Sequence, residues 1–358
     1  MVRAFNFCAG PASLPTAVLE QAQAELLDYQ SSGVSIMEVS HRGDLFMSVL
    51  ASAKARLRRL MKLPESHDIL FMQGGATAQF SLIPSHFLHG VGAYVNSGLW
   101  SIKAIEAAKR FGDVEVLASS EDANFSYMPP QASWDKLSAN ADYLHYTPNE
   151  TIGGVRSPFI PQVDVPLIAD FSSSILSETI DASKFDFIYA GAQKNIGPAG
   201  VVVVIVKREL LKTAREQSSP VFDYSKMLSA DSMVNTPPTY SIYLADLVFK
   251  WLEEQGGVSA MEAINNQKAA SLYDCIDNSG FYRNPVALSD RSKMNVPFIL
   301  ADDRLDATFL AESEAAGLKS LAGHRSVGGM RASLYNAMPL SGVKALTEFM
   351  RDFERRYG

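Results

Sequence analysis

The stretch Phe185-Asp186-Phe187-Ile188-Tyr189-Ala190-Gly191-Ala192-Gln193-Lys194-Asn195-Ile196-Gly197-Pro198-Ala199-Gly200, followed at once by Val201-Val202-Val203-Val204-Ile205-Val206, decides how the chain is read. Residues 185–190 and 201–206 are strand-length and nearly continuous in apolar character. Runs of this kind suit strands covered on both faces, in a mixed or mostly parallel sheet flanked by helices. The expected fold class is therefore α/β. One charge, Lys194, stands between the runs, with no other between Gly191 and Gly200.

Lysines ordinarily face solvent. This one follows a buried-type strand, and the residues that carry chemistry in open α/β sheets collect beyond the carboxyl ends of strands. The small residues around it leave room for a bulky planar group. A desolvated amine has its pKa drawn down from about 10.4, which is what an amine that captures carbonyls requires. The segment is not a Walker loop, because its spacing and its lack of Ser/Thr are wrong for one.

Working outward, residues 165–169 form another buried-type strand, and Asp170 ends it. A carboxylate there is ordinarily a cap or turn residue. Beside a carbonyl-capturing lysine it has a second use. It accepts from the protonated ring nitrogen of pyridoxal 5′-phosphate (PLP), whose cationic ring is an electron sink. Gln73-Gly74-Gly75-Ala76-Thr77-Ala78-Gln79-Phe80 lies between a strand at 68–72 and an apolar helix. Its glycines let backbone N–H groups converge on a phosphate at a helix N-terminus, although a plain strand-to-helix turn reads equally well. Trp100 is either a core residue or an aromatic plate for a pyridine ring. Asn235-Thr236-Pro237-Pro238 is a rigid polar loop, ordinarily a turn, whose amide and hydroxyl also suit phosphate oxygens.

Two basic clusters remain, His41-Arg42-Gly43 and Gly323-His324-Arg325 with Gly328-Gly329-Met330-Arg331. Charge clusters are usually solvated faces. These arginines are set among glycines in an acidic protein, which suggests forks for a substrate carrying two or more negative charges.

The 358 residues carry a formal net charge of -7, unsuited to general nucleic-acid binding. Two cysteines, Cys8 and Cys275, define no disulfide framework, and a reducing compartment fits them. The start, Met1-Val2-Arg3-Ala4-Phe5-Asn6, lacks the apolar core of a secretory signal, and no run reaches membrane-span length, so a soluble cytoplasmic protein is expected. No metal site is expected, and no repeat or low-complexity linker is visible.

Ser13-Leu14-Pro15 reads as a helix start with a cap-type residue, leading into a helix over 16–29. Further helices are expected at 45–61, 101–110, 244–252, 307–316 and 341–356. Strands are expected at 68–72, 93–95, 114–117, 143–146 and 295–300, with a turn at 278–284. The texture changes near Gly256-Gly257. Residues 15–255 are expected to form a large cofactor-binding domain, and 1–14 with 256–358 a smaller α+β domain.

In these residues taken together, the chain resembles the phosphoserine aminotransferase family, in class V of the PLP-dependent aminotransferases. The resemblance runs from Phe5-Asn6-Phe7 to Phe353-Glu354-Arg355-Arg356. It is carried by M-E-V-S-H-R-G (37–43), H-Y-T-P-N-E-T-I-G-G (145–154), A-D-F-S-S (169–173), Y-A-G-A-Q-K-N-I-G-P-A-G (189–200), N-T-P-P-T (235–239) and G-G-M-R-A-S-L-Y-N-A-M-P (328–339). It implies a fold type I homodimer with active sites shared between subunits. Lys194 then carries PLP as a Schiff base, Asp170 pairs with the pyridine nitrogen, Trp100 stacks on the ring and Thr151 meets its phenolic oxygen. Ala76, Thr77 and Gln193 hold the phosphate, with Asn235 and Thr236 reaching in from the partner subunit. Arg331 clamps the substrate α-carboxylate. His324 and Arg325, with His41 and Arg42 across the interface, take the distal phosphate or carboxylate.

The implied reaction transfers the amino group of L-glutamate to 3-phosphohydroxypyruvate, giving O-phospho-L-serine and 2-oxoglutarate for serine biosynthesis. Relatives also form 4-phosphohydroxy-L-threonine in pyridoxine biosynthesis. Two departures stand out. Thr77 stands where many bacterial relatives have arginine, and Cys8-Ala9 stands where the family often has serine. Serine–glyoxylate transamination is the nearest alternative, but it does not need the distal basic cluster. A cysteine desulfurase needs a cysteine on a mobile loop, whereas Cys275 sits in a helical stretch and Cys8 near the start. A dehydrogenase lacks its G-x-G-x-x-G. A fold relative that has lost its chemistry would lack the lysine, the aspartate or the arginines.

Overall fold

A computed structural model describes residues 3–358; the reading of Met1 and Val2 lies outside the described residues. Seven strands build the main sheet: β1 (His67–Met72), β2 (Val91–Asn96), β3 (Asp113–Ser119), β4 (Ala141–Tyr146), β5 (Leu167–Asp170), β6 (Phe187–Gly191) and β7 (Val202–Lys207). Their order is β1-β7-β6-β5-β4-β2-β3. Strand β7 runs antiparallel to both neighbours, and the other adjacent pairs are parallel. The α/β class read from the sequence is the one observed.

The two apolar runs behave as double-sided strands. Val203 and Ile205 pack into one core, with Phe46, Leu50 and Leu57 of helix α2 (Asp44–Met61) and Ile242 and Phe249 of helix α5 (Thr239–Glu254). Val202, Val204 and Val206 pack into the other core. There they meet Phe80, Ile83 and Phe87 of helix α3 (Gly75–Phe87) and Ala104 and Ile105 of helix α4 (Leu99–Ala108). Each such buried side chain is worth roughly 1.5–3 kcal/mol relative to exposure. A polar residue on either face of β7 would forfeit that and leave an unpaired group.

A third core gathers Phe7, Leu272, Phe298, Phe309, Leu346 and Phe353. It lies between helices α6 (Gly257–Asp277), α7 (Asp306–Ala315) and α8 (Leu340–Tyr357) and a sheet of β8 (Tyr282–Arg283), β9 (Asn295–Leu300) and β10 (Met330–Ser333). Phe5–Asn6 pairs in parallel with Leu318–Lys319, which ties the N-terminal segment to this region. Helix α6 serves two cores, since Val258 and Met261 pack into the first while Leu272 and Ile276 pack into the third.

Several local expectations are corrected. Helix α1 is Thr16–Ala24 and stops short of residue 29; Glu25 leaves the helical conformation, and the chain then turns through positive φ at Gln30 and Ser31. That turn buries the Tyr29 ring 5.7 Å from Tyr243. Ser13 does not cap α1; its hydroxyl donates to the Asn6 carbonyl (3.0 Å) and Pro15 occupies the cap position. Helix α4 begins two residues before Ser101, whose Oγ instead accepts the N–H groups of Ser97 and Gly98, both at 2.9 Å. The expected turn at 278–284 contains β8, pinned because buried Tyr282 donates from its hydroxyl to the Met350 carbonyl (2.8 Å). Strand β10 was not anticipated. Among the described residues no helix is long and apolar enough to cross a membrane, and no cluster of three His, Cys, Asp or Glu could hold a metal.

Candidate active site

One edge of the main sheet collects the carboxyl ends of β1, β2, β4, β5 and β6. Beyond β6, Ala192–Asn195 make a single helical turn that carries Lys194. Asn195 fastens this turn on two sides. Its amide donates to the Ile175 carbonyl (2.6 Å), and its Oδ1 accepts the Asn336 N–H (2.8 Å). The N-terminal segment also packs here, with Ala12 N–H donating to the Gln193 carbonyl (2.8 Å).

Lys194 Nζ donates to Thr151 Oγ1 at 2.7 Å and lies 5.0 Å from the centre of the Trp100 ring. Burial pulls its pKa down, the negative charges of Asp170 and Glu150 push it up, and Arg331 pulls it down again. Asp170 is 5% exposed at the end of β5, and its Oδ1 accepts the Ser172 N–H at 2.9 Å. Burial raises its pKa, against the pull of Lys194, Ser172 and Tyr189. Lysine and carboxylate are thus mutually supportive charges in a desolvated place.

Glu150 is fully buried and was not singled out in the sequence. Its carboxylate accepts the Ser101 N–H (2.9 Å) and the Trp100 N–H (3.1 Å), so it neutralises the exposed donors at the start of α4. This fixes the backbone that carries Trp100. The contact needs Gly98, where a Cβ would fall 2.5 Å from the Glu150 carboxyl carbon.

Helix α3 opens on Gly74 (φ 87°) and Gly75 (φ 62°), with no side chain capping its first turn. The leading N–H groups at Gly75, Ala76 and Thr77 have no acceptor within the helix, which together with the helix dipole makes a cradle for an anion. Gln73 Nε2 donates to Asn235 Oδ1 of the same chain at 3.3 Å, so Asn235 borders this loop, while Thr236 beside it is exposed.

Met330 and Ala332 of β10 point into the third core, so Arg331 between them faces the other way. Its Nη1 donates to the Thr151 carbonyl at 3.4 Å, and its Nε is buried with no partner among the described residues. His324 shares a 2.6 Å hydrogen bond with Ser326 Oγ. Its pKa is lowered by burial and then by the charges of Arg331, Arg325 and Lys103. Arg325 is exposed and in no ion pair among the described residues. Lys103, another residue not anticipated, sets its Nζ 4.5 Å from the Trp100 ring centre.

Lys194, Thr151, Trp100, Asp170 and Arg331 are therefore brought together by one chain, with His324 and Arg325 at the same cationic rim. His41 and Arg42 are not joined to this group. They lie in the turn before α2, where His41 Nε2 is buried without a partner among the described residues and Arg42 is exposed.

A lysine amine facing a buried carboxylate, an indole plate and an uncapped glycine-led helix start defines a site for a planar, phosphorylated carbonyl cofactor. The Aminotransferase class-V family model matches residues 4–346, and the chain belongs to that family. It is 56% identical to the phosphoserine aminotransferase of Marinomonas sp. (strain MWYL1) over 360 residues, covering 100% of both chains. It is likewise 56% identical to that of Hahella chejuensis, over 99% of both. The phosphoserine aminotransferase from Bacillus circulans subsp. alkalophilus superposes with a TM-score of 0.97 at 47% identity, over 99% of each chain. The PLP-bound phosphoserine aminotransferase from Trichomonas vaginalis gives a TM-score of 0.94 at 42% identity, covering 98% of this chain and 100% of that one.

The chain is a PLP-dependent transaminase. Its residues fit the cofactor. The unpartnered Arg331 Nε and the open space where a Gly75 Cβ would stand leave room and donors for anions on both flanks of Lys194.

Proposed function

We propose that this enzyme moves the amino group of L-glutamate to 3-phosphohydroxypyruvate, giving O-phospho-L-serine and 2-oxoglutarate. The observation that carries the reading is the cationic rim beside Lys194. His324, Arg325 and Arg331 lie there with no ion pair among the described residues, a repulsive arrangement that a substrate with a carboxylate and a distal dianion relieves. The names of the full-length relatives support it.

PLP, when bound, supplies the electron sink that makes the substrate Cα–H acidic. Lys194 is the residue to which it attaches. Asp170 would hold a proton on the ring nitrogen, Trp100 would stack on the ring, and Thr151 would meet its phenolic oxygen. Ala76, Thr77 and Gln193 would hold the phosphate, with the partner subunit's Asn235 and the partner subunit's Thr236 closing over it. Arg331 grips the substrate α-carboxylate. His324 and Arg325, with the partner subunit's His41 and the partner subunit's Arg42, grip the distal group. The Lys194 amine, once free, would take the proton from substrate Cα and hold it as general base, then give it up as general acid on the far side of the transferring nitrogen. Arginine forks accept both carboxylate and phosphate, so one site serves glutamate and the phosphorylated partner in turn.

In this reading the enzyme is a cytoplasmic homodimer whose large domain is 15–255 and whose small domain is 1–14 with 256–358. The purified holoenzyme, given glutamate and 3-phosphohydroxypyruvate, should form O-phospho-L-serine and 2-oxoglutarate in equal amounts. Failure to form phosphoserine while other keto acids are aminated would overturn the assignment.

A further inference from the structure

Lys103 is one helical turn beyond Trp100 on α4, on the same face, and its amine stands 4.5 Å from the centre of the indole that Lys194 Nζ approaches to 5.0 Å. A surface lysine of a net acidic protein ordinarily finds an acid. Lys103 has no ion pair among the described residues, although Glu106 lies three residues on along the same helix. Its charge is instead felt at His324, together with those of Arg325 and Arg331. The four cationic or titratable groups reach this place from two separate parts of the chain, α4 and the 323–331 segment. The acids near this end of α4 are otherwise engaged: Glu150 is committed to the Trp100 and Ser101 N–H groups, and Asp170 faces Lys194.

We propose that Lys103 is a specificity-determining residue that favours the phosphorylated substrate over glutamate, by adding a mobile positive charge at the distal-anion end of the site. The inference rests on the reading of the substrates given above. A distal phosphate carries about two negative charges near neutral pH and a side-chain carboxylate one. A point charge on a flexible stem at the rim therefore adds more to binding of the phosphate than of the carboxylate. The ammonium rests 4.5 Å from the indole centre on an exposed, four-carbon stem, so it can stay near the ring or swing toward a distal anion.

The test compares holoenzymes of the wild type, Lys103→Met and Lys103→Arg in two separate half-reactions, with O-phospho-L-serine and with L-glutamate. Lys103→Met should lower kcat/KM for phosphoserine about fivefold more than for glutamate, as befits loss of one exposed charge interaction. Lys103→Arg should keep the wild-type ratio, and the wild-type preference should shrink as ionic strength rises. Equal losses on both substrates would reduce Lys103 to a packing partner of Trp100 and overturn the proposal. So would an unchanged substrate ratio with weakened PLP retention, measured by dialysis and absorbance, which would assign the lysine to the cofactor. A wild-type enzyme that turns over glutamate but not phosphoserine overturns the substrate reading itself, a result separable from either of these.

Discussion

Lys194 Nζ and Thr151 Oγ1 meet at 2.7 Å, although 43 residues separate them in the chain. Lys194 follows β6 and Thr151 lies in the loop that follows β4, so β5 stands between their parent strands in the sheet. Its last residue, Asp170, raises the same amine's pKa against the effect of burial. The reactive amine is thus hydrogen-bonded to a loop hydroxyl and acted on by the charge of a strand-end carboxylate. Thr151→Val keeps the shape and removes the acceptor. A lost hydrogen bond to a charged group is worth about 1.5–3 kcal/mol, and kcat/KM should fall roughly tenfold to a hundredfold. Steady-state kinetics of Thr151→Val and Thr151→Ser check this, and the serine variant should retain most activity.

Asp170 is buried and its nearest fixed donor is the Ser172 N–H. Asp170→Asn would keep the volume and remove the charge that holds a proton on the cofactor ring. The loss of activity should exceed that of Thr151→Val, at about a thousandfold, equivalent to roughly 4 kcal/mol. The same change should lower the Lys194 pKa further, since a raising influence is gone. The pH dependence of Lys194 labelling by an aldehyde and borohydride in the apoenzyme reads that shift, and an unmoved profile would argue against the pairing.

Gly98 admits the Glu150 carboxylate to the start of α4. In Gly98→Ala the new methyl collides with it, and either the carboxylate or the helix start must move. Overpacking of this kind costs about 1–3 kcal/mol. Thermal unfolding should show that cost, and PLP retention should weaken with it because the Trp100 backbone is displaced. A variant with unchanged Tm and cofactor affinity would show that Glu150 does not position Trp100.

Glu178 tests the fold away from the site. Burial raises its pKa, but paired hydrogen bonds from Arg156 (2.9 and 2.6 Å) and the nearby Lys293 (3.3 Å) outweigh that and hold it below the ordinary carboxylate value. A depressed folded pKa gives stability that is present above the unfolded value of about 4.3 and is lost as pH falls through the folded value. Glu178→Gln should therefore be less stable than the wild type at pH 7, by about 1–3 kcal/mol, with the gap closing below pH 4. Urea unfolding at pH 7 and pH 3.5 measures the two gaps, and equal gaps would contradict the linkage.

Lys268 is fully buried, and its three N–H donors meet the carbonyls of Leu334 (2.8 Å), Tyr335 (2.9 Å) and Met338 (3.0 Å). Burial pulls its pKa down to about 7, while three acceptors for three donors favour the ammonium form. These carbonyls flank Asn336, whose N–H is bonded to Asn195 beside Lys194. Lys268→Met strands three buried carbonyls and should cost roughly 3 kcal/mol or more. Tm measurements check this.

How much of this was legible in the sequence differs from residue to residue. Lys194 and Asp170 announced themselves because each ends an apolar strand, and strand ends in such sheets converge. Gly74-Gly75 marked a helix start for the same local reason. Glu150 and Lys103 did not stand out. An acid that caps a helix 50 residues away, or a lysine that lacks a partner, has no local pattern. Only the sheet order, which sets β4 beside β2, brings Glu150 to α4. Arg331 reads as a cationic fork, but its strand leaves no signal, because four residues with one charge give too short an alternation. The sequence makes helix α1 too long because its periodicity continues past Ala24, while the turn that packs Tyr29 against α5 depends on residues far off in the chain.

The central claim is that the cationic rim beside Lys194 selects a distal phosphate. The most direct measurement is a stopped-flow half-reaction of the holoenzyme, followed by cofactor absorbance, with O-phospho-L-serine and with L-serine. Charge-assisted contacts worth about 1.5–3 kcal/mol each are present for one and absent for the other, so phosphoserine should react at least a hundredfold more efficiently. Equal efficiency with the two amino acids would contradict the account.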